Sequence, residues 1–113
     1  MKQVTKISLA ELKKMAEKMY GSIVKADVDV TKKIVLVDMD LHSDGEAYLM
    51  EHGSKQEDMW GINLQPDKYG TNEFVEFDSM INYKSSQGND SRGVNDKGTR
   101  NKIIELIEET VHE

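Results

Sequence analysis

The stretch VKADVDVTKKIVLVDMD, residues 24–40, carries two different hydrophobic patterns on either side of a turn. Val24, Ala26, Val28 and Val30 alternate with Lys25, Asp27 and Asp29, the period of a half-buried strand with a wet face. TKK turns the chain. The IVLV that follows is apolar at four consecutive positions, so it predicts an interior strand covered on both faces. An antiparallel hairpin with one leg deep in the sheet is therefore the frame into which the flanking segments must fit.

Upstream, residues 3–7 predict a short strand, and Ser8 opens SLAE. There the Ser hydroxyl can accept from the Glu11 amide while Glu11 reaches back, with Ile7 and Leu12 as a hydrophobic staple. Leu9, Leu12, Met15, Ala16, Met19 and Tyr20 share one helical face, and Gly21 offers a left-handed stop. Downstream, Ser43 and Glu46 repeat the S-x-x-E signature and predict a short helix to about His52, with Gly53 as its stop. MWGINLQ and EFVEFDSMINY read as two further strands, with Pro66, Asp67 and Gly70 supplying turns between them. Asp96 or Thr99 can cap a last helix on which Ile103, Leu106, Ile107, Thr110 and Val111 recur at helical spacing. Trp60 and most of the methionines lie among apolar neighbours and read as packing.

These elements predict an α+β fold: a four- to five-stranded, mostly antiparallel sheet in the order β-α-β-β-α-β-β-α, with three helices packed mainly on one face. The 113 residues fit one domain, 1–113. There is no cysteine, which excludes a disulfide framework, a thiolate zinc site and a thiol nucleophile, and suits a cytoplasmic location. The first twenty residues are too charged for a signal peptide, and no apolar run reaches membrane-spanning length, so no membrane role is expected.

The formal net charge is −6, which sets the whole against a nucleic acid partner. Residues 84–102 run against that balance at +3, leaving −9 elsewhere. Within YKSSQGNDSRGVNDKGTR, residues 83–100, Gly88, Gly93 and Gly98 free the backbone so that successive amides can converge, and the segment feeds a helix N-terminus. Arg92 and Arg100 can grip a phosphate or carboxylate, with Asn82, Gln87, Asn89 and Ser91 as neutral donors. The ligand-binding candidates are thus Asn82, Gln87, Gly88, Asn89, Ser91, Arg92, Gly93 and Arg100, for a small anionic ligand or an acidic surface of a protein partner. A polar connector with Arg92 paired to a local acid is the plainer alternative.

A second cluster, Asp38, Asp40, His42 and Asp44, occupies alternate positions, which extended chain would send to one face. Oxygen and imidazole together suit a divalent metal, and a metal-dependent hydrolase with Asp44 or Glu46 as general base is the rival reading. Asp40, His42, Asp44, Gly45 and Glu51 also match part of the calcium-loop pattern, with His in place of an oxygen ligand. The simpler reading is a strand end that turns polar at the surface before a capped helix. A homodimeric interaction module is a third reading.

LHSDGEAYLMEHGSKQEDMWGINLQPD, EFDSMINYKSSQGNDSRGV and the following Arg100 resemble a small prokaryotic family of uncharacterised proteins, a domain-of-unknown-function family, over nearly the whole length. The resemblance implies a domain of this size and order, and no reaction. The family pattern has a proline near Ser85 and a basic residue near Asp90; this chain differs at both.

Overall fold

In the computed structural model, which describes residues 1–113, the elements run β1 (Lys2–Val4), β2 (Ile7–Ser8), α1 (Leu9–Ala16), β3 (Val24–Asp29), β4 (Ile34–Val37), α2 (His42–Glu51), β5 (Met59–Leu64), β6 (Val75–Glu76), α3 (Lys97–Thr110) and β7 (Val111–His112). The fold is α+β, as expected. Its main sheet is antiparallel with the strand order β1-β4-β3-β5-β6. A separate parallel pair, β2 with β7, ties the start of the chain to its end. No helix is long and apolar enough to cross a membrane.

The hairpin of β3 and β4 forms the middle of the sheet, with Val28 opposite Val35 and Asp27 opposite Leu36. The Asp29 carboxylate accepts from the amides of Thr31 and Lys32, each at 2.9 Å, and so fixes its turn. Val24, Ala26, Val28, Val35, Val37, Trp60, Ile62 and Leu64 point to one face. They pack there with Leu12 and Ala16 of α1 and Ile103, Leu106 and Ile107 of α3. The opposite face carries a smaller cluster, Leu36, Met39, Leu49 and Met59, under α2. Two helices thus share one face and the third covers the other.

The capping signals hold unevenly. Ser8 caps α1 by accepting from the Glu11 amide at 3.1 Å, but the Glu11 carboxylate turns to Lys2 instead of closing the reciprocal bond. Asp96 caps α3, taking both the amide and the hydroxyl of Thr99 at 2.8 Å. α2 starts two residues earlier than the S-x-x-E signature predicts, with Leu41 rather than Ser43 at the cap position and no side-chain cap, so Ser43 lies inside its first turn. Gly53 does end it, at φ +94°. The predicted first strand divides into β1 and β2, because the chain leaves the sheet edge to meet β7.

The long strand expected over EFVEFDSMINY is the larger departure. Only Val75 and Glu76 pair with β5; a 3-10 turn follows at Met80–Asn82. Two glycines let the cover on the second face come close. A Cβ on Gly45 of α2 would lie 2.2 Å from the Asp27 Oδ2, and one on Gly61 of β5 would lie 2.5 Å from the Ser79 Oγ. Both sites are buried and the opposing atoms belong to buried side chains, so added volume has nowhere to go. Gly45→Ala and Gly61→Ala are each expected to lower stability by roughly 1–3 kcal/mol, measured by urea denaturation; midpoints equal to the native protein's would contradict this packing.

Candidate functional site

The segment singled out for its glycines and arginines is held against the open edge of β5. In an antiparallel pair alternate residues turn their peptide groups away from the partner strand, so Met59, Gly61 and Asn63 offer theirs to the side away from β3. Glu76 pairs with Asn63. Beyond it the backbone departs and side chains take over. The Asn82 Oδ1 accepts from the Gly61 amide at 2.8 Å while its Nδ2 donates to the Gly61 carbonyl at 3.0 Å. The same Nδ2 donates to the Arg92 carbonyl at 2.8 Å. One rung further, the Lys84 ammonium donates to the carbonyls of Met59 and Gln56.

Asn89 performs the matching task inside the segment. Its Nδ2 donates to the carbonyls of Asn82 and Gly93, both at 2.8 Å, and its Oδ1 accepts from the Asn95 amide at 2.8 Å. Lys84 and Asn89 also exchange backbone bonds around a 3-10 turn at Ser85–Gln87 that ends on Gly88 in the left-handed region, φ +73°. Asn82 and Asn89 are fully enclosed and committed to the backbone, so their amides are internal fasteners rather than surface donors.

The remaining candidates do not converge. Arg92 is exposed and paired with Asp78, the plainer alternative anticipated for it. Arg100 donates to the carbonyl of Val94 at 2.8 Å. Ser91 bonds Asn95 at 3.0 Å and Gln87 reaches the Glu57 carbonyl at 3.1 Å. Gly93 has ordinary space around it, with the Phe77 carbonyl 3.6 Å from an added Cβ. The first amides of α3 face the Asp96 carboxylate.

The acidic ladder comes apart. β4 ends at Val37, so residues 38–44 are not extended chain and their side chains do not leave one face. Asp38 sits at φ +69° and pairs with Lys18 at 2.8 Å. Asp40 and Asp44 are exposed. His42 turns inward and its Nε2 bonds the Ile62 carbonyl at 2.8 Å; burial lowers its pKa. No group of three or more His, Asp or Glu side chains is gathered that could hold a metal ion. The metal-dependent hydrolase reading and the calcium-loop match both lose their geometry.

Sequence reasoning passed over the two most perturbed groups. Asp27, assigned to a wet face, is 0% exposed, and neither carboxyl oxygen has a hydrogen-bond partner. Burial first, then the charges of Glu46 and Asp44, push its pKa up to about 8, while the Glu46 amide works weakly the other way. A clue lay in IVLV, since a strand covered on both faces requires its neighbour to be covered too. Lys84 is the other. Its ammonium lies 4.2 Å from the Trp60 ring centroid, and burial lowers its pKa to about 8 against the pull of Glu46, Asp58 and Glu57. Lys84 lines an open depression of about 660 Å³ between residues 55–57 and 83–87, together with Lys55, Ser85, Ser86 and Gln87.

A two-faced α+β sheet whose open edge is completed by side chains of a polar loop defines the class of domain. The chain belongs to the DUF5674 family, proteins of unknown function, which it matches over residues 3–110. No curated protein and no solved structure matches it.

The two perturbed groups act in adjoining pH windows. Asp27 has a folded pKa raised from 3.8, so its contribution is fully present below about pH 4 and lost as pH rises through 8. Lys84 has a folded pKa lowered from 10.5, so its contribution is complete above about pH 10.5 and lost as pH falls through 8. Their sum gives a local stability minimum near pH 8. Denaturant midpoints from pH 5 to 10 are expected to trace that dip in the native protein, and Asp27→Asn is expected to remove its acid limb; a native profile rising steadily from pH 5 to 8 would contradict it.

Proposed function

We propose that this domain is a binding module that takes a small anion, a phosphate or carboxylate, against the turn at Ser85–Gln87. The observation that carries the reading is the composition of the depression beside that turn: Tyr83 is its one hydrophobic lining residue, and two lysines face a single acid, Glu57. In a chain of net charge −6, a cationic hollow is where an anion meets least repulsion. Lys55, Ser85 and Ser86 are exposed. Lys84 sits beneath them in a partly desolvated setting that strengthens its attraction for a negative group.

The reading moves the centre of the site from Arg92 and Arg100 to Lys55 and the hydroxyls of Ser85 and Ser86, above the Lys84 ammonium, whose hydrogen bonds go to the Met59 and Gln56 carbonyls while its charge remains beneath the turn. The arginines already have partners within the chain, whereas the turn is rigidly backed by Asn82 and Asn89 and offers its hydroxyls outward. A preformed frame reduces the ordering cost of binding. The cysteine-free sequence fits a cytoplasmic setting for such a module.

Titration of the labelled protein with inorganic phosphate and with citrate, followed by amide chemical shifts, tests the reading. Saturable shifts are expected at Lys55, Ser85, Ser86 and Gln87, with none at Arg100, and Lys55→Gln, at an exposed position, is expected to weaken binding by roughly three- to tenfold. Resonances of the turn that stay still at millimolar anion would sink it.

A further inference from the structure

A different cavity, against the larger hydrophobic cluster, fits a ligand of opposite charge. It holds about 490 Å³ between α3 and the loop that precedes β6, within the range of small-molecule sites. Gly70, in the left-handed region at φ +85°, turns that loop. Tyr69 and Phe74 then meet edge to face, ring centroids 5.1 Å apart at 88°. These two rings form one wall, and Ile104 and Ile107 of α3 form the other. Phe74 and Ile107 are buried core residues, so this wall is a fixed surface rather than a patch of loose side chains.

The charge around the opening is one-sided. Glu108 is the only charged residue in the lining. It stands in the last turn of α3, which holds no basic residue, where the helix already carries partial negative charge. The cation nearest in the loop sequence, Lys68, is bound to Glu73 at 2.6 Å. Neither a phosphate nor a carboxylate suits such a mouth. An apolar body with one positive nitrogen does: the rings and isoleucines cover the body, and Glu108 receives the nitrogen.

We infer that the cavity between Tyr69, Phe74, Ile104 and Glu108 is a binding site for a small amphipathic ammonium compound, an aryl- or branched alkylamine. The site shares no residue with the depression around Lys84, and it stands whether or not that depression binds anions.

Three probes of one shape separate the outcomes: 2-phenylethylamine, 2-phenylethanol and 3-phenylpropionate, each titrated into methyl-labelled full-length protein. The amine is expected to shift the methyls of Ile104, Ile107 and Val75 saturably, the alcohol to bind roughly three- to tenfold more weakly, and the carboxylate more weakly still. Glu108→Gln should bring the amine to the level of the alcohol without altering the fold, as Glu108 is exposed. Ile104→Phe, at a half-buried position, should fill the cavity and abolish all three responses. Equal affinity for the three probes, a Glu108→Gln variant that keeps the preference for amine, or shifts that avoid these methyls would each overturn the assignment.

Discussion

The structure depends on how the outer edge of β5 is closed. A sheet edge exposes a row of peptide groups that must find partners, and β6 supplies only two residues of backbone. Asn82 completes the next rung by giving Gly61 both an acceptor and a donor, as a neighbouring strand would. Lys84 completes the one after it. Because these side chains lie in the polar segment that leads to α3, closing the sheet and shaping the segment are one event. Residues 82–95 are thereby held by many internal bonds, to the backbone of β5 and within the segment itself.

The second constraint is the close cover on the face away from α1 and α3. Gly45 brings the first turn of α2 onto Asp27, and the carboxyl there has no partner in the protein. Burial without a hydrogen bond favours the neutral acid. The charges of Glu46 and Asp44 reinforce that preference, and the Glu46 amide opposes it only slightly.

Much of this was legible in the residues. Alternation in residues 24–30 and the apolar IVLV gave the central hairpin, and the recurrence of Ile103, Leu106, Ile107 and Thr110 gave the terminal helix, because local periodicity reports the buried face directly. Asp96 was readable as a cap for the same local reason. What was not legible depends on contacts distant in sequence. Residues 77–83 have the composition of a strand, but Asn82 meets Gly61 across 21 residues, and a side-chain amide standing in for backbone leaves no periodic mark. Asp27 alternates as a solvated residue would; its cover is set by the close approach of Gly45, which looks locally like a helix-weakening residue. Asp38 to Asp44 seemed a ladder only while the chain was taken as extended, and the turn after Val37 dismantles it. Arg92 and Arg100 drew notice as charges, yet each is satisfied nearby, whereas Lys84 stood unremarked at the start of the same segment.

Hydrogen exchange at a single amide tests the central claim most directly. The Gly61 N–H faces away from β3 and is protected only if the Asn82 carboxamide holds it, whereas Ile62 pairs with Ala26 of the neighbouring strand. In the native protein the two amides should exchange at similarly slow rates; in Asn82→Ala, Gly61 should accelerate relative to Ile62 by about tenfold or more. A Gly61 amide that already exchanges freely in the native protein, or one that the substitution leaves as slow as Ile62, would contradict the account.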